Sequence, residues 1–570
     1  MTTGGGAMEY QVGRLSLLVV EGDLRRICFD GVEVLRRVSY PVRDASWGTF
    51  AVRTVSEAVE RDAGRLRYEH HFAARDGGFA GVFRAEIEEA HLVLTVEIDA
   101  ATDIAVNRAG FTLLHPLRGV SGQALAVTHG DGSVEALRWP ATISPGQPVF
   151  DIAGLAHEVA GVRVALTMAG EVFEMEDQRN WTDASYKTYC RPLALPLPFA
   201  LGPDAPVRQR VELRLGGQAA KAAAGDAAQE GIVPEVAVAM EAGLAEAVLP
   251  GFAVQLRLRA GDRVPALAGP VHLEIVVDEG LDGLAPIAAA CAGLDVARVT
   301  VLTAPYLKSH QPEGPWPDGP TPMALVAKAR ALFPRAAVGG GMFTNFTEFN
   351  RCRPDPDLVD FVTFGGTAVV HAADDMSVLE TLEALPGVFA SARGIARGKP
   401  LHLGLYSIGM RSNPYAADCV ANPARERLAM VRDDPRQETR FAACFAAGVL
   451  AGASAQGVAS VALAMSDGPL AAGGAGGVWP VYHVLRFARD LAGAAARTGA
   501  GGSIRIETAR GSIIAVVEGA VTLPAGARGH VLCAATEAAA RAADWLDGPP
   551  QDLGGVRLSR FDLAFLEGRA

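Results

Sequence analysis

At 570 residues the chain exceeds what one hydrophobic core usually holds, so roughly two to four domains are expected. Its formal net charge of -12, with no local Lys/Arg cluster to offset it, offers no basic field for a phosphate backbone, which argues against a nucleic-acid partner. Seven scattered cysteines without a CxxC pair read as reduced thiols of a cytoplasmic protein, and the N-terminus has no basic region ahead of its short apolar run, so no signal peptide is expected.

From about residue 8 to 216 the pattern is short alternating runs such as "LSLLVVEG", "FRAEIEEAHLVLTVEID" and "VRVALTMAG", the signature of an antiparallel β-sandwich. The low-complexity segment "GGQAAKAAAGDAAQEG" follows, and residues 217–234 are expected to form a linker. From 235 to 497 brief, nearly continuous apolar runs ("VAVAM", "VQLRLR", "HLEIVV", "VTVLTA", "AAVGGGMF", "DFVTFG", "LHLGLY", "SVALAM") are interleaved with helical patterns. That is the rhythm of a parallel sheet buried on both faces, and a count near eight predicts an α/β fold with a central (β/α)8 TIM-like barrel. Short strands return over 498–570 as a small C-terminal β domain. The uncharged stretch at 441–465 is long enough to span a bilayer, yet its Ala/Gly content and polar interruptions predict a buried helix leading into a buried strand, so no membrane partner is expected.

Several chemistries lack their signatures. There is no GxSxG elbow, no HxH or HExxH pair and no phosphate-binding glycine loop, so a serine hydrolase elbow, a zinc site and nucleotide binding are all unsupported; no metal and no cofactor is expected. Barrel enzymes carry their reactive groups at strand C-termini, which directs attention to Asn345, Glu348 and Asn350 in "TNFTEFNR", to His371 and Asp374 in "VVHAADDMS", and to Tyr406 after "LHLGLY". Glu348 fits a general acid or base or an exposed loop ion pair, and "DDMS" equally fits a plain helix cap. A further cluster lies in "EVFEMEDQRNWTDASYKTYCRPL" (171–193). There, alternation places Glu174 and Glu176 on one face, and Arg179, Trp181 and Lys187 are expected to wall a pocket, with a hydrogen-bonded structural plug as the other reading.

The stretches "FEMEDQRNWTDASYKTYCRPLALP", "VNRAGFTLLHP", "FTEFNRCRPD" and "VVHAADDMSVLETL" together resemble the D-apionate lactonase family. The resemblance implies a three-part layout, β domain, barrel and C-terminal β domain, and hydrolysis of D-apionolactone, or a related aldonolactone, to the sugar acid in branched-pentose catabolism. The expected partner is thus a small-molecule sugar lactone, with self-association left open.

Lactone hydrolysis needs an activated water, a stabilised oxyanion and a proton for the departing alkoxide. The residue chemistry assigns Glu348 as base and His371, oriented by Asp374, as acid. Arg179 or Lys187 would balance the oxyanion, and Glu176, Trp181, Asn345, Asn350 and Tyr406 would contact the substrate. A retaining glycoside hydrolase with paired barrel carboxylates is the alternative, and a sugar-binding protein without turnover ranks last.

Overall fold

A computed structural model describes residues 7–220, 228–243, 249, 251–278, 280–499 and 501–568. The chain divides into two compact units: residues 1–178 with 184–223, and residues 224–570 with the short segment 179–183.

The first unit is antiparallel β throughout, as its alternation predicts. In Val162–Ala169 every second residue is buried, so one face of the strand meets the core and the other meets water. Its strands form one hydrogen-bonded sheet of sixteen, from Met8–Val12 at one edge to Val52–Asp62 at the other, beside a three-stranded sheet. The large sheet curls upon its own core, for Tyr40, which follows Val32–Ser39, stacks on Phe83 of the distant strand Phe79–Glu88 with ring centroids 4.7 Å apart.

The second unit holds a closed barrel of eight parallel strands: β1 (Glu235–Glu241), β2 (Ala253–Arg259), β3 (Pro270–Val277), β4 (Asp295–Thr303), β5 (Ala337–Asn345), β6 (Phe361–Thr367), β7 (His402–Ser407) and β8 (Ser460–Met465). Helices occupy the connections from β3 onward: α1 (Leu284–Ala290), α2 (Pro322–Leu332), α3 (Phe346–Arg351), α4 (Asp375–Glu380), α5 (Leu385–Ala396), α6 (Arg440–Ala455) and, after β8, α7 (Pro480–Leu491). Among the described residues the β1–β2 and β2–β3 connections carry no helix.

Small residues allow the barrel to close tightly. Gly341 has φ +137°, and a Cβ there would lie 2.0 Å from the Thr363 carbonyl oxygen across the irregular β5–β6 pairing. Only glycine fits such an approach. Inside the wall, His272 and His402 set their rings edge-on against Phe361, each 5.3 Å away. Burial pushes both imidazoles down to about 3, so they are neutral core residues.

The uncharged run at 441–465 resolves into most of α6 followed by β8, both almost wholly buried. Gly448 and Gly452 of α6 let Leu382 and Leu385 pack close to its backbone. Among the described residues no helix is long and apolar enough to cross a membrane. Beyond α7 a seven-stranded antiparallel sheet forms around Ile514, Val516, Leu523 and Leu558. Its edge strand is Gln229–Ile232, from the segment expected to be linker; residues 221–227 of that segment lie outside the described residues.

Candidate active site

The C-terminal ends of the barrel strands converge on an ion-paired cluster. Glu241, Arg257 and Glu274 are in register across β1, β2 and β3, so the pleat brings three charges to one level. Arg257 Nε donates to Glu274 Oε2 over 3.0 Å, and its Nη2 donates to the Phe343 carbonyl over 3.1 Å. Arg411, four residues past β7, closes the set: Nε donates to Glu241 Oε1 (2.7 Å) and Nη1 to Glu274 Oε2 (2.8 Å).

Glu274 is 1% exposed, a setting in which burial alone would raise its pKa. The two guanidiniums outweigh burial and hold the carboxyl below the usual range. Glu241 behaves alike: burial works upward, Arg411 and Arg257 work downward more strongly. Arg411 keeps one buried atom, Nη2, without a hydrogen-bond partner. It lines a small, partly open pocket together with Glu274, Thr344, Asn345, Thr367 and Ser412 and the glycines Gly365, Gly366 and Gly404.

The residues singled out in the sequence are spread over several places. Asn345 ends β5 and lines this pocket, with Nδ2 donating to the Tyr415 hydroxyl over 3.2 Å. Glu348 turns back on its own helix: Oε2 accepts the Asn345 backbone N–H (3.0 Å), and the residue borders a separate narrow crevice with Tyr306, Lys308, His310 and Trp316. Burial raises its pKa, countered in part by Ser309 and Arg351.

His371 Nδ1 pairs with Asp183 Oδ2 at 2.5 Å. Asp374, expected to orient His371, is an exposed helix cap whose oxygens accept from the backbone N–H and hydroxyl of Ser377 at 2.9 and 2.7 Å. The short segment 179–183 explains why Asp183 takes that place. The Asn180 carbonyl accepts from the Thr347 hydroxyl (2.6 Å) and its Oδ1 from Asn350 Nδ2 (2.9 Å), and Trp181 lies edge-on to His371 at 5.5 Å with the Arg351 guanidinium 5.4 Å from its ring. Asn350 is thus 1% exposed and committed to Asn180. Arg179, 2% exposed, lies close to Gly387 of α5.

Tyr406 differs from expectation. Its ring packs against Phe364 of β6 and Phe389 of α5, beside an irregularity in the β7–β8 pairing between His402 and Leu405. Glu176 and Lys187 belong to the first unit, where Phe173–Asp177 and Tyr186–Tyr189 form a hairpin and the two residues face each other as an ion pair. Burial pushes the Lys187 ammonium down to about 8, although Glu176 opposes the shift.

Sequence reasoning passed over Glu241, Arg257 and Glu274, although a signal was present. A charge inside a continuous apolar strand, as in "HLEIVV" or "VQLRLR", has no access to water and must be paired. Asp183 carried no comparable signal, since only the fold brings it to a residue 188 positions away.

Comparison with known proteins gives the family of the chain. The model of the D-apionate lactonase N-terminal domain matches residues 5–218, and that of the D-apionate lactonase TIM barrel domain matches residues 256–493. The chain belongs to the D-apionate lactonase family. A relative named D-apionate lactonase, from Brucella anthropi, is 36% identical over 547 residues, covering 85% of this chain and 88% of its own. Among solved structures, the α-galactosidase AgaA of Geobacillus stearothermophilus aligns over 99% of this chain and 100% of its own at 8% identity with a TM-score of 0.27. A galactose mutarotase-like protein of Clostridium acetobutylicum aligns over 37% of this chain and 95% of its own at 10% identity with a TM-score of 0.26. Likeness at that level carries no argument. The buried charges of the D-apionate lactonase barrel therefore have to be interpreted from their own chemistry.

Proposed function

We propose that this protein hydrolyses a small sugar lactone, D-apionolactone or a closely related aldonolactone, to the open sugar acid. Family membership across both matched domains and the name of the Brucella anthropi relative support the reaction class. The observation that carries the reading to a site is Arg411, buried, pocket-lining and with Nη2 unpaired. A buried donor without a partner costs on the order of 1–3 kcal/mol unless water or a ligand supplies an acceptor. A lactone carbonyl is such an acceptor, and its bond to Arg411 strengthens as the oxygen becomes an oxyanion. Asn345 and Thr344 line the same pocket and offer hydrogen bonds to the sugar hydroxyls.

In this reading Glu348 is a positioning residue that fixes the Asn345 backbone. Glutamine retains an oxygen able to accept that N–H, so Glu348→Gln should keep turnover within a few-fold of wild type, whereas a proton-transfer role would cost about 10²- to 10⁴-fold. Steady-state kinetics on the lactone separate the two roles.

The reaction class is tested by following acid release with a pH indicator over D-apionolactone, other aldonolactones and nitrophenyl glycosides, with and without a chelator. The expected result is acid from lactones and no nitrophenol from glycosides. Nitrophenol release alone would establish the glycosidase alternative instead, and loss of lactone turnover with chelator would assign a metal to the site.

A further inference from the structure

The pocket's Arg411 leads to a group outside the pocket lining. Asp467 is the second residue past β8, and Glu241 is the last residue of β1. These strands are neighbours in the barrel: Ala239 pairs with Met465, and the Ser466 N–H donates to the Ala239 carbonyl over 2.9 Å. Glu241 and Asp467 each stand two residues beyond that pair in sequence, which places both at the C-terminal mouth of the barrel on neighbouring strands. Asp467 is half-buried, open to solvent on one side, while its Oδ1 and the neighbouring Ser466 hydroxyl are buried without partners. Glu241 in turn is bonded to Arg411, whose side chain is 8% exposed and still has a free Nη2.

Resting on the lactone reading, we propose that Asp467 gives the proton to the departing ring oxygen and Glu241 takes one from the attacking water. The oxygen of water bonds to the carbonyl carbon while one of its protons passes to the Glu241 carboxylate, and Arg411 holds the oxyanion. The bond from the carbonyl carbon to the ring oxygen then breaks, and the Asp467 proton moves to that oxygen. Return of the proton from Glu241 to Asp467 resets the pair, so the sum is lactone plus water to hydroxy acid.

The surroundings suit this division of labour. Burial, and then the charge of Glu241, push Asp467 above the usual carboxylate range. Glu241, although burial works against it, is held below that range by Arg411 and Arg257. Two nearby carboxyls whose environments separate their pKa values are equipped as acid and base. The charged groups bearing on Asp467 are Glu241 directly and, through it, Arg411, Arg257 and Glu274.

The test is the pH–rate profile of full-length Asp467→Asn on the lactone that wild type turns over fastest, with thermal unfolding measured alongside. The expected result is a fall in kcat of about 10²- to 10⁴-fold with KM unchanged. The decline in rate on the alkaline side of the wild-type profile, where Asp467 would lose its proton, should also disappear. Asp467→Glu, which keeps an ionisable group, should retain that alkaline decline and provides the same readout if the Asn variant does not fold. An active wild type with a folded Asp467→Asn variant at its rate, or with the alkaline decline intact, would overturn this assignment alone. A wild type inactive on every lactone would overturn the lactone reading and this assignment with it.

Discussion

Arg411→Lys should lower kcat on the lactone by about 10²- to 10³-fold, the cost of removing one donor to an oxyanion, with a smaller change in KM. Arginine is suited to this place because its planar fork serves three directions at once: Nε to Glu241, Nη1 to Glu274, and Nη2 left for a ligand. Lysine keeps the positive charge that both carboxylates require, so the barrel should still fold, yet one ammonium cannot bridge both and also reach a carbonyl. Steady-state kinetics beside a thermal melt checks both parts. A variant within about threefold of wild-type kcat would show that the oxyanion is held elsewhere.

Glu274→Gln should destabilise the barrel by roughly 3–5 kcal/mol, the usual penalty for breaking a buried ion pair from one side. Its carboxylate is the shared partner of two guanidiniums that are 3% and 8% exposed, and without it only Glu241 remains to balance them. The effect depends on pH in a defined direction. The Glu274 pKa is lowered in the folded state from an ordinary value of 4.5, so its contribution is present above that value and is lost as pH falls through the lower folded value. The gap in stability between wild type and variant should therefore be full at pH 7 and shrink progressively below about pH 4.5. Urea unfolding at several pH values measures it, and a gap that is small at neutral pH or widens with acid would contradict the pairing.

How much of this was legible in the sequence follows from the physics of each element. Strands buried on both faces lose alternation and strands with one wet face keep it, so the barrel runs and the N-terminal antiparallel runs were distinguishable by eye, as "VRVALTMA" against "SVALAM" shows. The curling of sixteen strands into one ladder, and the recruitment of Gln229–Ile232 to the C-terminal sheet, depend on pairings between distant segments that local pattern does not encode.

At the site, position past a strand end directs attention to Asn345, which lines the pocket beside Arg411. Tyr406 is expected at the barrel mouth from its place at the end of a strand, whereas its ring packs against Phe364 and Phe389. Asp374 was misread because "DDMS" satisfies a helix N-terminus locally, while the carboxylate that does hold His371 comes from the segment around Trp181. Arg257 and Glu274 are hidden by their setting, since only the register across β2 and β3 sets the two charges beside each other.

The most direct test of the central claim, that the lactone reacts against Arg411 at the barrel mouth, is a crystal structure with a non-hydrolysable lactam analogue of the substrate. The expected result places the analogue's carbonyl oxygen within hydrogen-bonding distance of Arg411 Nη2, among Thr344, Asn345 and Ser412. An analogue seated against His371 and Asp183, or in the cavity beside Glu348, with Nη2 still unpaired, would contradict it.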